Sequence, residues 1–115
     1  MHELAIANSV LEAARTEAEK RPGMRLAKIV VRIGDLAGVD ADSLSFCYEA
    51  LVKETDLERC ALEIERIPQS NECPRCRHNF TVANFEIACP ACGSVETRFA
   101  GGDELELAYL EMEDA

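Results

Sequence analysis

Two Cys-x-x-Cys motifs, twelve residues apart, constrain the fold of this chain more than any other feature. They are Cys73-Pro-Arg-Cys76 and Cys89-Pro-Ala-Cys92. At this spacing four thiolates can surround one tetrahedral zinc ion. Gly93 supplies a permissive backbone after the second motif, where the chain must turn tightly. The segment around the motifs is too short to fold by hydrophobic burial alone, so metal binding is expected to supply the missing free energy.

Other chemistries for the four cysteines are less consistent with the sequence. A redox dithiol is disfavoured because two matched pairs are present and a thioredoxin-like βαβ pattern is absent. A catalytic zinc is disfavoured because four thiolates leave no open coordination position. Residues 69–98 also lack the basic footprint of a nucleic-acid-binding ribbon, since three arginines balance three glutamates there. We therefore predict a structural zinc site in a spacer or partner-docking segment.

Two smaller features of this segment extend the prediction. Apolar residues between the two motifs predict a short hairpin from Phe80 to Ile87. His78 lies two residues past Cys76 and is interpreted as a polar surface residue. A sharper hypothesis is that His78 hydrogen-bonds a zinc-bound sulfur or replaces a thiolate when the site is acidified.

The overall charge limits the partners of the chain. The 115 residues include 22 acidic and 12 basic side chains, for a net charge of -10. Such a surface repels phosphate backbones and anionic lipids but suits metal cations or a basic patch on a protein. No apolar run approaches the roughly 20 residues that span a bilayer, and the first residues lack the basic start of a signal peptide. We expect a cytoplasmic protein that binds neither nucleic acid nor membrane.

Hydrophobic periodicity predicts the elements outside the cysteine segment. A helix is expected from residue 3 to about 20, and a second helix, capped by Asp42 or Ser43, runs to about Thr55. Alternating patterns predict strands at residues 26–33, 61–67 and 104–112.

The predicted fold class is α+β, with two helices packed on a three-stranded sheet. The last strand needs a partner, because a lone strand is not stable, and its natural partners precede the cysteine segment. A zinc-ribbon-like domain at residues 69–98 is therefore expected as an insertion in a domain made of residues 1–68 and 99–115.

The chain begins with three nitrogen atoms that can bind one metal. The terminal amine of Met1 and the backbone nitrogen of His2 close a five-membered chelate ring, and the His2 imidazole adds a fused six-membered ring. Such flat nitrogen sets suit Ni(II) or Cu(II) rather than zinc, with a fourth ligand from Glu3 or a carboxylate. The alternative is that His2 is simply an exposed terminal residue. The residues taken by themselves favour this alternative.

Several pieces of the sequence, in their order and spacing, resemble one known family. They are MHEL, VRIGDLAGVDADSLSFCYEAL, LEIERIP, CPRC followed by CPACGS, and GGDELEL. Over nearly its full length the chain resembles the HypA/HybF family of hydrogenase-maturation nickel chaperones. Ala37 replaces a small polar residue of the family pattern, which is a conservative change. The second motif lacks the neighbouring histidine of some members, which weakens any exchange of histidines for zinc thiolates.

The resemblance implies a function and a set of site residues. It implies that His2 is the principal nickel ligand, assisted by the Met1 amine and by Glu3, with Asp40 as a secondary ligand or orienter. Zinc would be held by Cys73, Cys76, Cys89 and Cys92. The implied activity is non-enzymatic delivery of Ni(II) to the large-subunit precursor of [NiFe]-hydrogenase. A nucleotide-hydrolysing maturation protein would be a partner, and urease maturation factors would be further partners for some members.

Two other function classes stay open at this stage. The chain could be a zinc-ribbon adaptor for protein interactions that transfers no nickel. It could also be a small metalloenzyme, although no Ser/His/Asp or Cys/His set is visible.

Overall fold

Residues 2–115, which a computed structural model describes, form two α-helices and six β-strands. The helices are α1 (Glu3–Ala18) and α2 (Ala41–Val52). The strands are β1 (Met24–Gly34), β2 (Ala61–Ile67), β3 (Ser70–Glu72), β4 (Asn79–Thr81), β5 (Arg98–Gly101) and β6 (Leu105–Asp114). They build two three-stranded sheets, in the orders β2-β1-β6 and β4-β3-β5. The predicted α+β class, with two helices and a separate cysteine-bearing unit, is confirmed.

The larger sheet is covered by both helices on one face. Its central strand β1 runs parallel to β2 and antiparallel to β6. A parallel pair needs a crossover, and α2 provides the crossover between β1 and β2. Alternate residues of β1 (Ile29, Val31 and Ile33) are buried in the core. The period-two pattern of β1 therefore sets which face of the sheet packs against the helices.

The core lies between this face and the two helices. Helix α1 contributes Ala7, Leu11 and Ala14, and helix α2 contributes Leu44, Tyr48 and Val52. Each large buried aliphatic side chain stabilises the fold by roughly 1.5–3 kcal/mol. The hydroxyl of Tyr48 donates a hydrogen bond to the Cys60 carbonyl at 2.8 Å, and burial raises the pKa of Tyr48 above its ordinary value. The polar group of the buried Tyr48 side chain is thus hydrogen-bonded, as buried polar groups generally are.

The opposite face of the sheet carries a ladder of opposite charges. Lys28 of β1 lies between Glu63 of β2 and Glu111 of β6, with N–O distances of 3.6 and 3.7 Å. Arg32 repeats the arrangement with Glu65 at 3.0 Å and Glu106 at 3.6 Å. Exposed pairs of this kind contribute little stability each. They do place acidic side chains along both edge strands, which opposes edge-to-edge pairing of two copies.

Two glycines join the smaller sheet to the larger one. Leu36 N donates to Gly102 O at 2.7 Å, and Gly34 N donates to Glu104 O at 2.7 Å. A Cβ atom at Gly34 would lie only 2.1 Å from Gly102 O, and Gly102 is buried with a φ of +120°. Only glycine allows backbones to approach this closely. We call residues 70–101, which contain β3, β4, β5 and the four motif cysteines, the cysteine module.

Several predicted boundaries differ from the structure. Helix α2 is capped by Asp40, whose Oδ1 accepts hydrogen bonds from Asp42 N at 3.0 Å and Ser43 N at 3.2 Å. The prediction of Asp42 or Ser43 as the cap was therefore wrong. Three neighbouring residues are good caps, and tertiary contacts of the preceding loop choose among them. Helix α2 also ends at Val52 rather than Thr55, because the Thr55 hydroxyl donates to the Val52 carbonyl.

The predicted hairpin of the cysteine module is only partly present. Strand β4 pairs with β3, and the remainder is a single bridge between Ala83 and Glu86. The division of the chain at residues 68/69 and 98/99 stays a prediction. Strand β5 begins at Arg98 and continues to Gly101 in the smaller sheet.

Candidate metal centres

The four motif cysteines form one cluster. Their sulfur atoms all lie within 4.8 Å of one another. The Cys73–Cys92 and Cys76–Cys89 Sγ–Sγ distances are both 3.6 Å. A tetrahedral zinc ion with Zn–S bonds of about 2.3 Å holds its sulfurs about 3.8 Å apart. The observed Sγ–Sγ distances are close to this value, so the four residues fit a four-thiolate zinc site. The same distances are far longer than the S–S bond of a disulfide, about 2.05 Å.

The two motifs fold into the same turn. In the first, Cys73 N donates to His78 O at 2.9 Å, and Arg77 N donates to Cys73 O at 2.6 Å. In the second, Cys89 N donates to Ser94 O at 2.9 Å, and Gly93 N donates to Cys89 O at 2.8 Å. The residue four places after the first cysteine is left-handed in both, with φ of 64° at Arg77 and 80° at Gly93. The predicted role of Gly93 therefore has a structural basis, and Arg77 occupies the equivalent position with strain.

Backbone groups of each turn act on the sulfur atoms. The N–H groups of Cys76 and Arg75 hold the pKa of the Cys73 thiol below its ordinary value. At Cys89, burial raises the pKa of the thiol, but the N–H groups of Cys92 and Ala91 outweigh burial and lower this pKa to about 7. Hydrogen bonds to the thiolate favour the form that binds metal. Local turn geometry thus prepares two sulfurs, one in each motif, for a cation.

A hydrogen-bond chain that starts at a buried asparagine connects the second turn to the rest of the module. Asn71 of β3 is only 4% exposed, and its Nδ2 donates to Thr97 Oγ1 at 3.0 Å. Thr97 Oγ1 in turn donates to the Ile87 carbonyl at 2.5 Å. Ile87 precedes the second turn and Thr97 follows it, so two side chains hold both of its flanks. Sequence reasoning missed Asn71 and Thr97, because neither lies in a motif and their contact depends on tertiary folding.

His78 belongs to the surface of the module. Its side chain is exposed, and its ring stacks on Phe80 with centroids 6.2 Å apart and planes 11° apart. Its backbone carbonyl, rather than its imidazole, supports the first turn through Cys73 N.

The left-handed residue of each turn gives a stability prediction. Arg77→Gly is expected to raise the free energy of unfolding of the zinc-bound module by about 1 kcal/mol, because glycine adopts this conformation without strain. Gly93→Ala is expected to lower it by about 1 kcal/mol, since a Cβ meets no atom within 4 Å and only φ opposes it. The measurement is urea unfolding of the zinc-bound protein.

Arg75→Gly is the matched control, because it removes the same charge from a residue whose φ is not positive. It should not stabilise the module. Equal stabilisation by Arg75→Gly and Arg77→Gly would show that charge, not backbone strain, is responsible.

The other predicted ligands lie where the two helices begin. His2 precedes α1, is exposed, and makes no side-chain capping bond. Glu3 Oε2 accepts a hydrogen bond from Asp40 N at 3.3 Å, so the starts of α1 and α2 are in contact. Helix N-termini carry partial positive charge, which stabilises the two carboxylates here. The structure therefore brings Glu3 and Asp40 together beside His2.

This second set of residues is not a compact ligand cage. Within residues 2–115, the four cysteines are the cluster in which three or more metal-binding side chains approach one another. His2, Glu3 and Asp40 form no such cluster in this part of the chain. Met1, the remaining predicted ligand, lies outside the described residues. Across residues 2–115, no helix has the length and apolar character needed to cross a membrane.

Comparison with known proteins identifies the family. A family model described as "Hydrogenase/urease nickel incorporation, metallochaperone, hypA" matches residues 1–112. Hydrogenase maturation factor HypA of Geobacter metallireducens is 41% identical over 113 residues, which cover 98% of this chain and 100% of the relative. The protein of the same name from Geobacter sulfurreducens is 38% identical with the same coverage.

Solved structures agree with the sequence comparison. The solution structure of the Ni metallochaperone HypA from Helicobacter pylori matches over 100% of both chains, with a TM-score of 0.66 and 25% identity. A second solution structure of a HypA protein matches 98% of this chain and 97% of its own, with a TM-score of 0.70 and 26% identity. The predicted resemblance is confirmed: the chain belongs to the HypA family of metallochaperones for nickel incorporation in hydrogenase and urease maturation.

Proposed function

We propose that this chain binds Ni(II) at its N-terminus and delivers it to the large-subunit precursor of [NiFe]-hydrogenase. The observation that supports this most is the contact between Glu3 Oε2 and Asp40 N, which fixes the first residues of α1 against the start of α2. A family that incorporates nickel needs a site that can release its metal. An exposed site at the start of the chain is accessible to a receiving protein.

The proposed nickel ligands are the Met1 amine, the backbone nitrogen and imidazole of His2, and a backbone or side-chain atom of Glu3. These atoms lie close in the covalent chain, so little conformational entropy is lost when they bind one ion. Nitrogen ligands in a flat arrangement suit Ni(II).

Asp40 has a supporting role in this proposal. Its Oδ1 already accepts two hydrogen bonds from the start of α2, and its backbone N–H holds Glu3. These contacts favour the role of an orienter over that of a direct ligand. Asp40 then connects the position of Glu3 to the position of helix α2.

The two metals have different roles in the proposal. Zinc is a resident structural ion held by Cys73, Cys76, Cys89 and Cys92, since thiolate sites bind zinc tightly. Nickel is cargo, held by few ligands at the surface. The protein acts without catalytic turnover, because a closed four-thiolate site has no position for a substrate.

The proposed partners are proteins of metal-centre maturation in the cytoplasm. They are the hydrogenase large-subunit precursor, a nucleotide-hydrolysing nickel maturation protein and urease maturation factors. The net charge of -10 favours basic protein surfaces and disfavours nucleic acid and anionic membranes. A zinc-ribbon adaptor that carries no nickel is the second candidate, and apolar side chains exposed on the cysteine module favour it.

A transfer experiment separates the two candidates. Protein loaded with radioactive nickel is mixed with purified, nickel-free large-subunit precursor in the presence of a chelator that captures free nickel. We expect nickel to appear in the precursor with the wild-type donor but not with a His2→Ala donor. His78→Ala, which removes the only other histidine, is the control and should transfer normally. Failure of the wild type to transfer more nickel than the His2→Ala protein would favour the adaptor.

A further inference from the structure

A tight turn of the cysteine module has an unusual residue at its tip. Glu86 N donates to Ala83 O at 3.0 Å, and the two residues form a β-bridge. The central residues Asn84 and Phe85 both have positive φ, 54° and 62°. This is a type I′ hairpin turn, in which Asn-Gly is the favoured central pair. Asn84 suits its position, whereas Phe85 stands where glycine is preferred and strains the backbone.

The Phe85 side chain gains nothing from the rest of the chain to offset this strain. It is 93% exposed, more than any other large apolar side chain of the described residues. A glycine would remove both the strain and the exposed aromatic surface. Strain that persists at an exposed residue is a reason to look for a function of that residue.

The cysteine module exposes other apolar side chains besides Phe85 and has no net charge from its arginines and glutamates. Ile87, Val95 and Phe99 of the same module are between 45% and 68% exposed. The Thr97 hydroxyl donates a hydrogen bond to the Ile87 carbonyl, which places Thr97 beside Ile87. Three arginines balance three glutamates in the module, although the whole chain has a net charge of -10. Aromatic residues are enriched in protein–protein interfaces, and exposed apolar surface marks interaction sites.

We propose that Phe85 is a docking anchor that inserts into an apolar pocket of the protein that receives the nickel. This inference rests on the proposed delivery of nickel to another protein. The two-residue turn fixes the backbone that presents the Phe85 side chain. An aromatic side chain with only two χ angles loses little conformational entropy when it binds.

The net charge of the chain favours a different protein as the partner of Phe85 over a second copy of this chain, a nucleic acid or a lipid surface. A second copy also carries a net charge of -10 and is repelled at long range, as are nucleic acids and anionic lipids. A protein whose apolar pocket has neutral or basic surroundings is not repelled by the acidic chain, and basic surroundings are attracted to it. The anchor would hold such a protein while nickel leaves the N-terminus.

The test uses full-length zinc-bound protein and purified hydrogenase large-subunit precursor as the probe. Phe85→Gly should weaken binding of the precursor at least about tenfold, as for loss of a hot-spot residue. The same change should raise the temperature of zinc release by about 4 °C, because the backbone strain is removed. Asn84→Gly is the matched control: it changes the neighbouring left-handed residue, keeps the aromatic ring, and should leave precursor binding unchanged.

Opposite effects on stability and binding distinguish an anchor from a structural residue. Equal precursor binding by wild type and Phe85→Gly would overturn the proposal, as would a lower zinc-release temperature for Phe85→Gly. No measurable binding by the wild type would also overturn it. The delivery proposal fails separately: it is contradicted if the wild type binds the precursor through Phe85 but transfers no nickel, and it survives if nickel is transferred while Phe85→Gly binds normally.

Discussion

A Cys76→Ser variant is expected to lose most of its bound zinc when challenged with a chelator. Cys76 is exposed, so serine leaves no buried cavity and the change removes only one sulfur ligand. Structural zinc sites contribute about 10–16 kcal/mol of apparent binding free energy, and a segment as small as the cysteine module depends on it. We therefore expect disorder of the module together with the loss of zinc. The measurements are zinc content after dialysis against the chelator and amide exchange of residues 70–101.

The larger sheet and both helices should persist in this variant. Their core consists of residues such as Leu11, Ile29 and Leu44, which lie outside the module. Cys47→Ser, on helix α2, is the control that removes a thiol outside the cluster and should keep one zinc equivalent. A full zinc equivalent in Cys76→Ser would refute the four-thiolate site.

A His2→Ala variant is expected to bind nickel at least about 100-fold more weakly than the wild type. The change removes the imidazole and the six-membered chelate ring that it closes with the backbone nitrogen. Zinc content and helicity should be unchanged, because His2 is exposed and makes no side-chain capping bond. Isothermal titration with nickel provides the affinity, and His78→Ala is the control with the same loss of one imidazole.

The proposed ligands also predict the direction of the pH dependence. An amine, an imidazole and a backbone amide bind nickel only without their competing protons, so binding should weaken as the pH falls. Nickel affinity that stays constant on acidification, or that is equal in His2→Ala and wild type, would be incompatible with the N-terminal site.

The four-cysteine cluster was predictable from the sequence because its geometry is local. Each Cys-x-x-Cys motif folds into a turn whose hydrogen bonds span no more than six residues, as in Cys73 N to His78 O. The residues that orient the second turn were not predictable in the same way. Asn71 and Thr97 are 26 positions apart, and only the folded module brings them together.

Only part of the proposed N-terminal nickel site follows from the sequence alone. The Met1 amine and the nitrogen atoms of His2 are neighbours in the covalent chain, so their ability to chelate one metal can be read from the sequence. The contact of Glu3 with Asp40 joins residues 37 positions apart and depends on how the two helices pack. For the same reason Asp40, rather than Asp42 or Ser43, caps α2.

The structural roles of two positions, Phe85 and Gly34, could also not be predicted from the sequence. Phe85 lies within the predicted hairpin from Phe80 to Ile87, but the apolar pattern did not show that Phe85 itself is a left-handed residue of the turn. Gly34 directly follows the predicted strand at residues 26–33, and the structure shows that the Gly102 carbonyl lies where a Cβ of residue 34 would be. A glycine in a strand can mark a close approach of another backbone, but the segment that approaches is determined by tertiary folding.

A nickel titration of a variant with one residue added before Met1 tests most directly whether the N-terminus itself binds nickel. This variant keeps every side chain but moves the terminal amine away from His2. We expect its nickel affinity to fall as steeply as that of His2→Ala, with zinc content unchanged. Equal nickel affinity of the extended and native proteins would contradict the claim.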